Sequence, residues 1–144
     1  MRGLIQRVSE AHVRVKDEVV GQIGLGLLLM IGVEKNDSVE EVEKLLNKVL
    51  NYRVFADEKN QMNLSILDQG GELLVISQFT LAANTKKGLR PSFSSAASPA
   101  EAEILYQIFV DRAAHFVDVE TGRFGANMKV SLINDGPVTF TLSV

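Results

Sequence analysis

The sequence of 144 residues contains no cysteine. Disulfide bonds, thiolate catalysis and cysteine-ligated zinc are therefore excluded, and an intracellular location is the simplest expectation. Long apolar runs are also missing. The longest candidate, 25–33, is interrupted by Gly26 and Gly32 and is far shorter than the roughly 18 residues of a membrane span. The opening MRGLIQRV is too polar and too short for the apolar core of a signal peptide. We therefore expect neither a membrane span nor a secretory leader.

Signatures of common catalytic sites are absent as well. The chain has no G-x-S-x-G elbow, no H-E-x-x-H helix and no Walker loop. Its two histidines, His12 and His115, lie far apart in sequence. We expect His12 to point outward from a strand and His115 to end a helix, where a cation is mildly favoured. Acid-base and metal chemistry thus have little support, and we expect no metal and no cofactor.

Negative charge is scarce in one long segment. The net charge of the chain is −3, which argues against binding nucleic acid by bulk electrostatics, and we expect no DNA partner. Residues 73–100, however, contain three cations and no acid. An anionic partner would meet the least repulsion at these cations, although a solvated basic loop gives the same pattern. They are Lys86, Lys87 and Arg90.

The remaining pattern predicts one α+β domain over residues 1–144, with a mostly antiparallel, curled, barrel-like sheet and two main helices. Strand-like alternation fills the first sixteen residues, and 25–33 and 73–81 are typical of buried strands. Ser38 with Glu41 forms an S-x-x-E capping box before the first helix. The second helix begins at Ser98, again with a glutamate three residues on.

A proline interrupts the last strand-like segment. Residues 128–133 and 138–144 alternate in the manner of half-buried strands, and NDGPVT, residues 134–139, lies between them. Asp135 and Gly136 favour a two-residue hairpin turn, and Pro137, which lacks an N–H group, would then begin the next strand. A functional use of this Gly-Pro pair is the alternative.

Polar residues end the buried strand that begins at Leu73. Ser77, Gln78 and Thr80 place hydroxyl groups, an amide and backbone donors at a sheet edge inside the acid-free segment. Ligands are commonly held at such edges. A strand that surfaces into a loop is the alternative, since serine and threonine are frequent at strand ends.

Four motifs in order resemble the D-aminoacyl-tRNA deacylases. They are SQFTL (77–81), GLRPSF (88–93), GRFGANM (122–128) and NDGPVT (134–139), and the likeness extends from IQRV at Ile5 to the C-terminus. The resemblance implies a cytoplasmic homodimer that cleaves the ester between a D-amino acid, or glycine, and the 3′ acceptor end of tRNA without a cofactor. Gly136 and Pro137 would be joined by a cis bond and enter the partner's site, where their carbonyl oxygens exclude L side chains.

The same resemblance implies roles for further residues. Ser77, Gln78, Phe79 and Thr80 would line the ester, with backbone N–H groups holding its carbonyl oxygen. The 2′-hydroxyl of the tRNA itself would assist hydrolysis. Two alternatives stay open: Thr80 as a covalent nucleophile, which lacks an evident partner base, and a non-catalytic module that binds the acceptor end. The resemblance further implies that Arg7 braces the Gly-Pro loop and that Met128 and Ala96 lie beside the substrate. It also implies contacts with tRNA phosphates by Lys86, Lys87 and Arg90.

Overall fold

A computed structural model describes all residues, Met1–Val144. Its sheet is built on the long strand β1 (Arg2–Val15), which turns through Lys16 and Asp17 into β2 (Glu18–Ile23). Both turn residues have positive φ, as a tight two-residue hairpin requires. Strand β3 (Gly26–Gly32) then returns along the first half of β1 and is buried almost throughout. The predicted strands at 1–16 and 25–33 are thus confirmed.

The sheet has six strands and is nearly closed. Its later strands are β6 (Glu72–Ser77), β7 (Val119–Thr121) and β8 (Lys129–Ser143). The strand order is β2-β1-β3-β6-β7, with β8 on the other side of β1. Strands β6 and β7 run parallel to β3, while the three pairings of β1 are antiparallel. The backbone of β7 comes close to Gly21 on β2, which curls the sheet towards closure. The α+β prediction with a barrel-like sheet is confirmed.

Helices cover one face of this sheet. Helix α1 (Val39–Asn51) and helix α3 (Pro99–Ala113) begin at the predicted capping boxes, Ser38 with Glu41 and Ser98 with Glu101. Their apolar faces join β3 and β6 in a core of 23 buried residues. A second cluster of seven buried residues lies within the curl of the sheet. The short elements are α2 (Ile66–Gln69), β4 (Phe55–Ala56) and β5 (Met62–Leu64). No helix is long and apolar enough to cross a membrane.

The predicted hairpin at Asp135 and Gly136 is wrong. Strand β8 continues through NDGPVT, and both of its halves pair with β1 in the same direction. The chain therefore bulges instead of reversing: residues 135–138 lie opposite the single residue Arg7. The pairing of two long strand segments with β1 outweighs the local preference of Asp135 and Gly136 for a turn. Pro137 lies outside the hydrogen-bonded ladder and is accommodated in the bulge.

The buried strand predicted over 73–81 is too long. Strand β6 ends at Ser77, and Phe79–Ala82 forms a 3-10 helix. The 3-10 helix packs on Gly32 at the end of β3, where an added Cβ would lie 2.8 Å from the Leu81 Cβ. This turn of the chain places the polar residues of SQFTL at the carboxyl end of two parallel strands.

Candidate active site

The residues of SQFT form a compact polar corner at the end of β6. Ser77 and Gln78 are half-buried, while Phe79 and Thr80 are exposed. The Gln78 N–H donates to the Ile31 carbonyl oxygen at 2.7 Å, which ties the corner to β3. The chain therefore leaves the sheet at a defined point, with Phe79 and Thr80 exposed to solvent, and a site at this corner stays a prediction.

Donor groups are available at this corner. The N–H groups of Phe79 and Thr80 begin the 3-10 helix, which has no side-chain cap, and the first N–H groups of a helix have no acceptor within it. The Gln78 Nε2 donates to the Thr80 Oγ1 at 2.5 Å. A neutral amide does not take a proton from a hydroxyl, so this contact orients Thr80 without activating it as a nucleophile.

The segment after GLRPSF packs against the same corner. The ring of Phe93 lies 5.0 Å from that of Phe79, centroid to centroid. Ser95 Oγ donates to the Ala82 carbonyl oxygen at 2.5 Å, and the Ala96 N–H donates to the Phe93 carbonyl oxygen at 3.0 Å. Ala96 is half-buried, and its place beside the substrate stays a prediction.

Helix α3 supports the corner from behind. The buried Tyr106 Oη donates to the Val75 carbonyl oxygen at 2.9 Å, two residues before β6 ends. Burial raises the pKa of Tyr106 to about 12, so the hydroxyl is neutral and remains a donor at physiological pH. Tyr106 was not singled out in the sequence, because its partner is a backbone oxygen 31 residues away.

Met128 also reaches this end of the sheet. A Cβ added at Gly122 would lie 2.5 Å from the Met128 Sδ and 3.0 Å from the Ile76 Cδ1. Met128 is half-buried and packs on the small core cluster that contains Ile76. Met128 therefore lies near Ile76, the residue before Ser77. Core packing and a position at the border of the substrate site are both compatible with this place.

The three predicted tRNA contacts lie on one exposed loop. Asn84 and Ser92 pair across its base, and Lys86, Lys87 and Arg90 are all exposed between them. The loop leads directly from the 3-10 helix of the SQFT corner to Phe93. Positive charge therefore borders the candidate site, as the acid-free segment predicts.

Arg7 contacts the Gly-Pro bulge. Its Nε donates to the Asp135 carbonyl oxygen at 2.8 Å, and its Nη1 donates to the Val54 carbonyl oxygen at 2.6 Å. The Asp135 carboxylate is further off, 3.9 Å from the Arg7 Nε. The Gly136–Pro137 bond is cis. Arg7 thus braces the bulge mainly through backbone oxygens, and a surface ion pair is the lesser part of the contact.

The bulge and the SQFT corner are separated within one chain. Strand β1 pairs Val8 with Asn134 beside the bulge, and it pairs Gly3 with Ile31, the β3 neighbour of Ser77. The bulge lies opposite Arg7, and the four-residue step from Gly3 to Arg7 along β1 corresponds to roughly 13 Å at ~3.3 Å per residue. Gly136, Pro137 and Arg7 therefore form a second group, apart from the predicted catalytic residues.

Known proteins resemble this chain over its full length. Residues 4–143 match the family described as D-Tyr-tRNA(Tyr) deacylase. This chain belongs to that family. Membership of the D-Tyr-tRNA(Tyr) deacylase family makes it a hydrolytic enzyme.

Curated members of the family are closely similar in sequence. A D-aminoacyl-tRNA deacylase of Pseudoalteromonas translucida (strain TAC 125) is 60% identical, with 100% of both chains covered. One of Haemophilus influenzae (strain 86-028NP) is 59% identical, again over 100% of both chains.

Two solved structures share the fold. One is described as c-Myc DNA Unwinding Element Binding Protein and has a TM-score of 0.96 and 36% identity, covering 100% of this chain and 99% of the other. A probable eukaryotic D-amino acid tRNA deacylase has a TM-score of 0.80 over 99% and 98% of the two chains. At 17% identity, the second comparison supports the fold alone.

Proposed function

We propose that this enzyme cleaves the ester that joins a D-amino acid to the 3′ end of tRNA and spares the L-ester. The observation that carries the proposal is the full-length similarity to D-aminoacyl-tRNA deacylases at about 60% identity. The intact SQFTL corner and Gly136–Pro137 bulge support it. A cytoplasmic location follows from a tRNA substrate.

We further propose a homodimer in which the bulge of one subunit completes the site of the other. The separation of roughly 13 Å along the strands keeps Gly136–Pro137 away from Ser77–Thr80 of its own chain. A second copy is the simplest source of the missing half, and most soluble oligomers are symmetric dimers. Light scattering that found only monomer at micromolar concentration would contradict this arrangement.

Chiral selection by backbone atoms suits an enzyme that accepts many side chains. A fitted apolar pocket discriminates one methylene by only ~1–3 kcal/mol and would favour one amino acid over the others. A rigid carbonyl oxygen of Gly136 or Pro137 in the path of the L-configured Cβ excludes every L-residue alike. Glycine has no Cβ and passes the same barrier, so glycyl-tRNA is a second substrate.

The chemistry is hydrolysis assisted by the 2′-hydroxyl of the tRNA. The N–H groups of Phe79 and Thr80 are suited to the developing oxyanion. Thr80 accepts a hydrogen bond from the neutral amide of Gln78, and its hydroxyl forms no hydrogen bond with an imidazole or a carboxylate. This favours positioning by protein and a reacting group from RNA over a threonine nucleophile.

The acceptor stem is held by its phosphates. Lys86, Lys87 and Arg90 lie on an exposed loop next to the site, and such contacts position RNA without reading sequence. The structural relative described as a DNA unwinding element binding protein motivates a second candidate, DNA binding. The net charge of −3 disfavours that candidate, and a DNA duplex serves as the comparison ligand in the binding assay.

Single-turnover deacylation of D-tyrosyl-tRNA, L-tyrosyl-tRNA and glycyl-tRNA tests the proposal. A matched set of substrates ending in 2′-deoxyadenosine separates the chemistry from the selectivity. We expect cleavage of the D and glycyl esters, survival of the L-ester and resistance of the deoxy substrates. Equal cleavage of the deoxy esters would instead assign the nucleophile or the activation of water to the protein, and tRNA binding without any cleavage would indicate a binding module.

A further inference from the structure

The side chain of Asn134 spans the Gly136–Pro137 segment. Its Oδ1 accepts a hydrogen bond from the Val138 N–H at 2.6 Å, and its Nδ2 donates to the Thr139 Oγ1 at 2.8 Å. Asn134 precedes the segment and both partners follow it. One side chain therefore fixes the distance between the two ends of the bulge.

The sheet by itself cannot hold this part of the chain. Strand β1 pairs Gln6 with Thr139 and then Val8 with Asn134, so four residues of β8 face one residue of β1. A regular ladder would pair residues one to one. In the bulge, side chains must supply the constraints that the ladder gives elsewhere.

Val138 provides a firm anchor for this bridge. It is 5% exposed and belongs to the large core, whereas the segment before it is exposed. By holding the Val138 N–H, Asn134 links the exposed segment to a residue whose side chain is fixed by packing. Removal of the Asn134 amide would leave the Val138 N–H without this partner in a part-buried position.

We propose that Asn134 is a positioning residue for chiral selection, because it sets where the Gly136 and Pro137 carbonyl oxygens stand. It acts opposite Arg7, which holds the Asp135 carbonyl oxygen at the start of the same segment. The proposal rests on the proposed function of Gly136–Pro137. It assigns Asn134 no contact with the substrate.

The test compares Asn134→Ala with Asn134→Asp in the full-length enzyme. The readout is the ratio of kcat/KM for D-tyrosyl-tRNA to that for L-tyrosyl-tRNA. We expect Asn134→Ala to lower the ratio about tenfold, a change equivalent to about 1.4 kcal/mol, mainly through faster cleavage of the L-ester. Asn134→Asp keeps an acceptor for the Val138 N–H and can accept from the Thr139 hydroxyl, so it should keep the ratio within about threefold of wild type.

The second hydrogen bond has a matched control on the same strand. Thr139→Val removes the acceptor of the Asn134 amide, whereas Thr141→Val changes an exposed threonine two residues further on the same face. We expect a smaller loss of selectivity in Thr139→Val and none in Thr141→Val. The double variant Asn134→Ala with Thr139→Val should be no worse than Asn134→Ala alone, since both changes act on one bridge.

Amide hydrogen exchange at Val138 provides a readout that needs no activity. We expect about tenfold faster exchange in Asn134→Ala than in wild type, and little change in Asn134→Asp.

Unchanged exchange in Asn134→Ala would overturn the positioning role. Faster exchange with an unchanged D-to-L ratio would make Asn134 merely structural, and an equal loss of selectivity in Asn134→Asp would overturn the bridge as its cause. A wild-type enzyme that failed to cleave D-tyrosyl-tRNA would contradict the proposed function instead, and Val138 exchange would still decide whether Asn134 holds the segment.

Discussion

Replacement of Gly136 by alanine tests the geometry of the bulge most directly. Gly136 has a φ of +152°, a backbone conformation that L side chains rarely adopt. An added Cβ would lie 2.6 Å from the Val138 Cγ2 and 2.7 Å from the Val138 N. Val138 is buried in the core and cannot move aside freely. Alanine therefore forces either the bulge or the core to shift.

The expected cost has two parts. A side chain in such a backbone region costs about 1–3 kcal/mol, and the overpacking against Val138 adds about 1–3 kcal/mol. Gly125→Ala is the matched control, because Gly125 also has a positive φ, +71°, but has nothing within 4 Å of an added Cβ. The control should lose only about 1–2 kcal/mol. Gly136→Ala should lose about 2–6 kcal/mol.

Urea unfolding of both variants at one fixed protein concentration measures these losses, since the stability of an oligomer depends on concentration. Single-turnover assays with D- and L-tyrosyl-tRNA measure the second effect. We expect Gly136→Ala to reduce the D-to-L ratio by displacing the two carbonyl oxygens, and Gly125→Ala to keep it. A Gly136→Ala enzyme as stable as the Gly125→Ala control, with the selectivity of wild type, would refute the reasoning.

Three further predictions concern the corner, its support and the basic loop. Thr80→Ala should slow single-turnover deacylation about tenfold without abolishing it, and a complete loss would restore the nucleophile hypothesis. Tyr106→Phe should lower the free energy of unfolding by about 1 kcal/mol, because the Val75 carbonyl oxygen loses one of its two donors and keeps the Gly122 N–H. Since the pKa of Tyr106 is raised to about 12 from about 10, wild-type stability should be full below pH about 10 and fall as the pH rises towards 12, a loss that the variant lacks. The double variant Lys86→Ala, Lys87→Ala should weaken tRNA binding and reduce the dependence of log affinity on log salt by about 1.4–1.8. Lys59→Ala, which changes an exposed lysine directly after Asp57 and Glu58, should leave both unchanged.

Local signals in the sequence were sufficient for the two main helices. Ser38 and Ser98 each form a capping box with a glutamate three residues later, and this depends on no distant residue. The break from apolar to polar residues at Ser77 coincides with the end of β6, although the strand was predicted to continue to Leu81. The 3-10 helix that follows was missed, because its position depends on packing against Gly32 of a distant strand.

Contacts at long range explain what the sequence could not reveal. The Asp-Gly pair at 135–136 carries the local signal of a hairpin, yet both halves of β8 pair with β1 and the chain continues through a bulge. Arg7 and Asp135 are 128 residues apart in sequence and meet only after the sheet has formed. Asn134 is close in sequence to its partners Val138 and Thr139, but these hydrogen bonds form only when the chain adopts the bulge.

The sequence by itself determined the helix starts, the buried strands, the acid-free segment and the four motifs that indicate the family. Periodicity, capping and charge are properties of neighbouring residues, and they survive without knowledge of the fold. Only the tertiary structure decided that Gly136–Pro137 lies in a bulge and that this bulge is roughly 13 Å along the strands from Ser77. Strand register sets both the bulge and this distance. The register of β8 on β1 arises from the pairing of segments more than a hundred residues apart.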